Sequence, residues 1–318
     1  MTYLLFVFGF VLLIKGADFL VEGASSIAKK YKLSDMVIGL TIISFGTSMP
    51  ELLVNLMASF GGSSELAIGN VFGSNIANIL LILGISAIIF PLPINKSTYF
   101  SEIPFSLIAT LLVGFLANAS LLIDNRESLM LSQIDGAIML VFFVLFLGYI
   151  IVVSRQEESQ VQEEITMLPM GKSTLFVVGG IIALFFGGKW VVDGAVDMAH
   201  YFNLSESFIG LTVVAVGTSL PELVTSAVAA YKKKTDIAVG NVVGSNIFNL
   251  LWILGLSAVI KPLPFDVVSN EDILMIIASS TLLIFAVVVG KRTVIERWEG
   301  VLFLIAYIAY TWFLIQRG

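Results

Sequence analysis

Gly46-Thr47-Ser48-Met49-Pro50-Glu51-Leu52 occurs a second time as Gly217-Thr218-Ser219-Leu220-Pro221-Glu222-Leu223. Each copy sets a proline and a carboxylate inside a long apolar run. Pro50 has no N–H to offer the carbonyl of Gly46, and its ring presses against that carbonyl. Met49, which precedes it, is driven away from helical geometry, and Gly46 adds backbone freedom. A helix broken near residues 46–49 is expected, with main-chain carbonyls left short of helical partners. Pro221 and Gly217 repeat the argument in the second copy. Glu51 and Glu222 follow the breaks. A charged carboxylate at the centre of a bilayer costs about 2.5–3.5 kcal/mol on insertion scales, so each needs a partner there.

The surroundings of both motifs call for a membrane. Of 318 residues, 58% are hydrophobic and only 13% charged, against about 25% charged in a soluble domain. So few charges cannot cover a globular surface, and the chain reads as an all-α integral membrane protein. Apolar runs of roughly 17–25 residues cross a bilayer. Ten are present, near 3–27, 34–60, 66–91, 104–122, 135–153, 173–198, 205–231, 237–261, 272–290 and 298–315. Runs this long are helices, since barrel strands are shorter and alternate. The first is expected to be retained as a span, because no basic stretch precedes it in the manner of a cleaved signal. The absence of Cys excludes disulfides and thiolate metal sites. A net charge of −6 offers no basic face for nucleic acid.

Residues 154–172 form the one clear linker, with Arg155, Glu157, Glu158, Glu163 and Glu164. It divides the chain into 1–153 and 173–318, five expected spans each. Loops after the odd-numbered spans hold twelve Lys and Arg residues, among them Lys29, Lys96, Lys172 and Lys232, and the opposite loops hold three. Positive loops stay inside. The linker is therefore expected in the cytoplasm of a cell-membrane protein, with both termini outside. Tyr3, Tyr31, Tyr99, Tyr231, Trp298 and Trp312 fit interfacial belts.

Displaced by 171 residues, the chain matches itself without a gap. Positions 34–93 align with 205–264, and 31 of the 60 are identical, including Gly, Pro, Asn, Ser and Glu. Gly69-Asn70-Val71 returns as Gly240-Asn241-Val242, and Gly73-Ser74-Asn75-Ile76 as Gly244-Ser245-Asn246-Ile247. Because each half has an odd number of spans, the second starts from the other side of the membrane. Two inverted five-helix repeats with interrupted helices are the mark of a secondary transporter whose site lies at the midplane.

The polar residues near the breaks are oxygen donors. Thr47 and Glu51 are four apart and share a helix face, as do Ser74 and Asn78. The second copy supplies Thr218, Ser219, Glu222, Ser245 and Asn249. Oxygen-only donors suit Ca²⁺, Na⁺ or Mg²⁺ rather than zinc or copper. Two carboxylates balance one Ca²⁺ or two Na⁺, and without a metal they repel and one takes up a proton. Cations and protons should compete. Lys15 with Asp18, and Lys189 with Asp193, have helical ion-pair spacing, and His200 reads as a loop residue.

The two GTS-x-PEL motifs, each followed by GN-V-x-GSNI-x-N (69–78 and 240–249), resemble the repeats of the sodium/calcium exchanger family within the cation/calcium antiporters. The resemblance spans the whole chain. It implies a ten-helix antiporter that moves Ca²⁺ against Na⁺, with no prosthetic group and no obligatory protein partner. Carried over by position, it implies Ca²⁺ coordination by Glu51, Glu222, Thr47 and Thr218. Na⁺ sites would be completed by Ser48, Ser74, Asn78, Ser219, Ser245 and Asn249, with the main-chain carbonyls of Ser44 and Ala215. The first and sixth spans resemble the pair that slides across the core. Some members, including potassium-dependent ones, carry Asp where this chain has Asn249. Asn there argues against potassium dependence and against proton coupling. The linker is too short for the regulatory domains of animal relatives.

A Ca²⁺/H⁺ antiporter on the same fold is the alternative. A channel would need a continuous pore rather than a closed two-carboxylate site. An intramembrane enzyme lacks support, with no Cys and a single His.

Overall fold

The computed structural model describes residues 2–61, 64–122, 129–156, 168–201, 215–289 and 293–317. It is a helical membrane protein. Helix α1 (Thr2–Tyr31) is followed by α2 (Asp35–Ile38), a π-helical turn (Gly39–Ile43), α3 (Ser44–Thr47) and α4 (Met49–Gly61). Then come α5 (Ser64–Ala77), a second π turn (Asn78–Ile82), α6 (Leu83–Ile89), β1 (Leu92–Pro93), α7 (Lys96–Phe100), α8 (Glu102–Leu122), β2 (Met130–Leu131) and α9 (Gln133–Gln156). The second half runs α10 (Met170–Tyr201), α11 (Ala215–Thr218), α12 (Leu220–Tyr231), α13 (Thr235–Ile247), a π turn (Phe248–Ile253) and α14 (Leu254–Ile260). It ends with β3 (Leu263–Pro264), α15 (Ser269–Val289), β4 (Val294–Ile295) and α16 (Arg297–Arg317).

Eight helices among the described residues are long and apolar enough to cross a membrane, and the pair Asp35–Thr47 and Met49–Phe60 makes a ninth span, bent by 46°. The seventh expected span, 205–231, is described only from residue 215, as α11 and α12. The linker expected at 154–172 lies largely outside the described residues.

The bend falls where Pro50 requires it. Ser48 leaves the helix at φ −83°, ψ 8°, and Ser219 does so at φ −86°, ψ 6°. Pro50 and Pro221 then stand in the first turn of the next helix, where a missing N–H costs nothing.

The two halves pack as one body with twinned contacts. Strand β1 pairs antiparallel with β4, Leu92 opposite Ile295. Strand β2 pairs with β3, Leu131 opposite Leu263. Residues 92–93 and 263–264 are the same repeat position, so each half lends a short strand to the other.

Outside this core, α1 and α10 run antiparallel along a small-residue seam. A Cβ at Gly9 would lie 2.9 Å from the carbonyl of Gly187, one at Gly16 3.0 Å from that of Gly180, and one at Gly23 2.7 Å from that of Ser173. Both rows repeat every seven residues, so the small residues stay on one face along the crossing.

Three helical expectations change. Asp18 pairs with Lys232 at the end of α12 rather than with Lys15, so its carboxylate ties α1 to the core. Among the described residues Lys189 and Asp193 form no pair, and both are exposed on α10. His200 lies in the last turn of α10 rather than in a loop.

Candidate functional site

The helix breaks face each other across the interface of the halves. Glu51 opens α4 and Glu222 opens α12, and each is 1% exposed. Ser48 Oγ donates to Glu222 Oε1 at 3.0 Å and lies 3.1 Å from Ser245 Oγ. Its twin, Ser219 Oγ, donates to Glu51 Oε1 at 3.4 Å and lies 3.2 Å from Ser74 Oγ. Each serine sits three residues before its own glutamate and bonds the other one. The carboxylates are thereby cross-braced, and they lie close enough to interact electrostatically. Among the described residues neither makes an ion pair. Their partners are neutral donors, so the charge needed to balance them must come from elsewhere.

The rest of the site repeats this twinning. Thr47 Oγ1 donates to Asn241 Oδ1 at 3.1 Å, and Thr218 Oγ1 to Asn70 Oδ1 at 3.3 Å. Asn78 Nδ2 donates to Asn246 Oδ1 at 2.9 Å, and Asn249 Nδ2 to Asn75 Oδ1 at 3.0 Å. Asn78 opens one π turn and Asn249 lies in the other. Such turns insert one residue into a helix and recur at functional sites.

Four oxygens are left over. Glu51 Oε2, Glu222 Oε2, Asn78 Oδ1 and Asn249 Oδ1 are buried and accept no hydrogen bond from the described residues. A buried acceptor without a partner costs about 1–3 kcal/mol, more for a charged group. Two carboxylate and two amide oxygens from opposed helices suit a hard cation.

At Ser44 the carbonyl expected to serve a cation already has a main-chain donor. The Ser44 carbonyl accepts the Ser48 N–H at 3.0 Å, and Thr47 Oγ1, whose proton goes to Asn241, lies 3.4 Å away. The Ser44 hydroxyl instead donates to the Gly39 carbonyl at 2.7 Å and lies 3.0 Å from that of Asn241. This draws the first π turn onto α13. A Cβ at Gly244 would collide with Ser44 Oγ, and one at Gly240 would lie 3.1 Å from Gly39 Cα, which explains glycine at both places. Ala215 is the first residue of α11.

All the carboxyl, hydroxyl and amide donors expected from the sequence are thus brought together. Asn70, Asn75, Asn241 and Asn246 were not among them. All four lie in the match between 34–93 and 205–264, which is the sequence signal that points to them.

A family model described as sodium/calcium exchanger protein matches residues 1–152 and 172–316. The chain is 38% identical to a putative antiporter, CaxA, of Alkalimonas amylolytica, over 97% of each chain. It is 32% identical to the sodium/calcium exchanger MaX1 of Methanosarcina acetivorans, again over 97% of each. Among solved structures it superposes on the sodium-calcium exchanger NCX_Mj with a TM-score of 0.80 and 34% identity, covering 97% of this chain and 98% of that one.

Proposed function

The chain belongs to the sodium/calcium exchanger family, whose members are secondary transporters rather than enzymes, and we propose that Glu51 and Glu222 jointly hold the cations it exchanges. The transported ions, Na⁺ and Ca²⁺, are its substrates, and it needs no prosthetic group. The observation that carries the reading is the set of four buried oxygens, two from each half, that have no hydrogen-bond partner among the described residues.

In this reading Ca²⁺ sits between the two carboxylates, with Thr47 and Thr218 beside it. Ser48, Ser219, Ser74, Ser245, Asn78 and Asn249 complete positions for Na⁺. Thr47, Ser48 and Ser219 each donate a hydroxyl proton to an asparagine or a carboxylate, and a hydroxyl that has donated its proton can turn oxygen toward a cation. The carbonyls of Ser44 and Ala215 join where the helix breaks open in another conformation. Ca²⁺ and Na⁺ use overlapping oxygens, so one must leave before the other enters, which is the requirement for exchange. The halves 1–153 and 173–318 are inverted copies, with residues 154–172 cytoplasmic and both termini outside. Alternating access then exposes the same site to either face.

The test is Ca²⁺ uptake into proteoliposomes holding the purified chain. An imposed Na⁺ gradient should drive uptake. Uptake that ignores Na⁺ and follows a pH gradient would assign the chain to Ca²⁺/H⁺ exchange instead.

A further inference from the structure

Two asparagines in the repeated motif, Asn75 and Asn246, have no role in the cation set above, yet both are fully buried at the interface of the halves. Asn75 Nδ2 donates to the main-chain carbonyl of Asn246 at 3.3 Å, and Asn246 Nδ2 donates to that of Asn75 at 3.5 Å. A main-chain carbonyl only accepts, so the end of each side chain that faces it must be the NH₂ end. The opposite end of each is then the oxygen. Those oxygens accept from Asn249 Nδ2 at 3.0 Å and from Asn78 Nδ2 at 2.9 Å. The same logic passes one step further. With their NH₂ ends taken, Asn78 and Asn249 must turn Oδ1 the other way, and among the described residues neither of these oxygens has a donor.

We propose that Asn75 and Asn246 are positioning residues that lock the amides of Asn249 and Asn78 across the repeat interface, oxygen toward the cation. An amide is nearly symmetrical in shape, so packing alone would let Asn78 or Asn249 present NH₂ to a cation and repel it. The lock removes that option. The anchors are backbone carbonyls of the opposite half, so amide orientation is built into the same interface that assembles the site. Partners of this kind, one bond removed from a metal, set affinity through the ligands they orient.

The inference rests on the cation site proposed above, and its test separates the two. Na⁺ binding is read by titrating Na⁺ against thermal unfolding of the purified full chain. Asn246→Ala should raise the midpoint by about 10-fold or more. The same substitution made on top of Asn78→Asp should shift that variant's own midpoint by no more than about twofold, the scatter expected of uncoupled sites. A carboxylate at position 78 is oxygen at both ends and needs no orienting partner. An unchanged midpoint in Asn246→Ala overturns the proposal. So does an equal shift in both backgrounds, which would mean general loosening. If Asn246→Ala does not fold, Asn75→Ala with and without Asn249→Asp reads the twin lock. Failure of both single variants to fold would make these asparagines structural and overturn the proposal as well. Glu222→Gln is the control for the site itself. An unaltered midpoint there rejects the site, whereas loss there with no effect of Asn246→Ala rejects only the lock.

Discussion

Glu51→Gln and Glu222→Gln are each expected to abolish Na⁺-driven Ca²⁺ uptake, while Lys96→Gln leaves it near normal. The exchange of one oxygen for NH₂ does two things at once. It removes one of two carboxylates from a buried site to which no cationic side chain is paired among the described residues. It also aims a donor where Glu51 Oε2 or Glu222 Oε2 now stands unpartnered. Two unit charges 4 Å apart attract by about 4 kcal/mol even at an effective dielectric of about 20. Loss of that attraction lowers affinity by roughly 10³-fold, which puts Ca²⁺ beyond an ordinary assay. The glutamines preserve volume, and Ser48 and Ser219 can still donate to the remaining oxygen, so both variants should fold. Uptake by proteoliposomes, alongside a thermal unfolding curve, separates loss of binding from loss of structure. Retained transport in both would remove these residues from the site.

Gly180→Leu is expected to be the most damaging change away from the site. A Cβ at Gly180 would stand 2.7 Å from the carbonyl of Gly16 and 2.8 Å from the N of Leu20. These are main-chain atoms of α1 and cannot swing aside, so the helices must separate along the whole seam. Overpacking costs about 1–3 kcal/mol when side chains can adjust, and a backbone clash belongs at or above the top of that range. The neighbour Gly179 has no described atom within 4 Å of its would-be Cβ. Gly179→Leu should therefore unfold close to wild type, helped by the better helix propensity of Leu. Thermal unfolding of the two variants in the same detergent checks the contrast. Equal melting temperatures would mean that α1 and α10 do not depend on this seam.

The parts of the molecule that could be read from sequence are those dictated by local chemistry or by self-comparison. Pro50 and Gly46 located the bend, because a missing N–H and a ring clash act within four residues. The match between 34–93 and 205–264 sets Glu51 opposite Glu222, because two copies of one motif in an inverted pair meet at their axis. The oxygen-only donor set points to a hard cation by its chemistry alone. What escaped depends on distance in space. Asp18 and Lys15 have ideal helical spacing, yet Asp18 bonds Lys232, since a cation on a packed neighbour outcompetes one on its own helix. The π turns at 39–43, 78–82 and 248–253 leave no mark in composition, because they arise from where the side chains must point once the halves are docked. The α1–α10 seam was visible in principle as glycines 9, 16 and 23 facing 187 and 180. Without knowing which helices are neighbours, however, a seven-residue spacing has no partner to match.

The claim that one ion is shared by two acidic side chains from opposite halves is tested most directly by crystallography with Ca²⁺ bound, the ion identified by its anomalous scattering. The arrangement of Glu51, Glu222 and their cross-bracing serines predicts a single Ca²⁺ within about 2.3–2.6 Å of oxygens from both carboxylates. Ca²⁺ held by only one of them, or located elsewhere while Glu51 and Glu222 remain unoccupied, would contradict it.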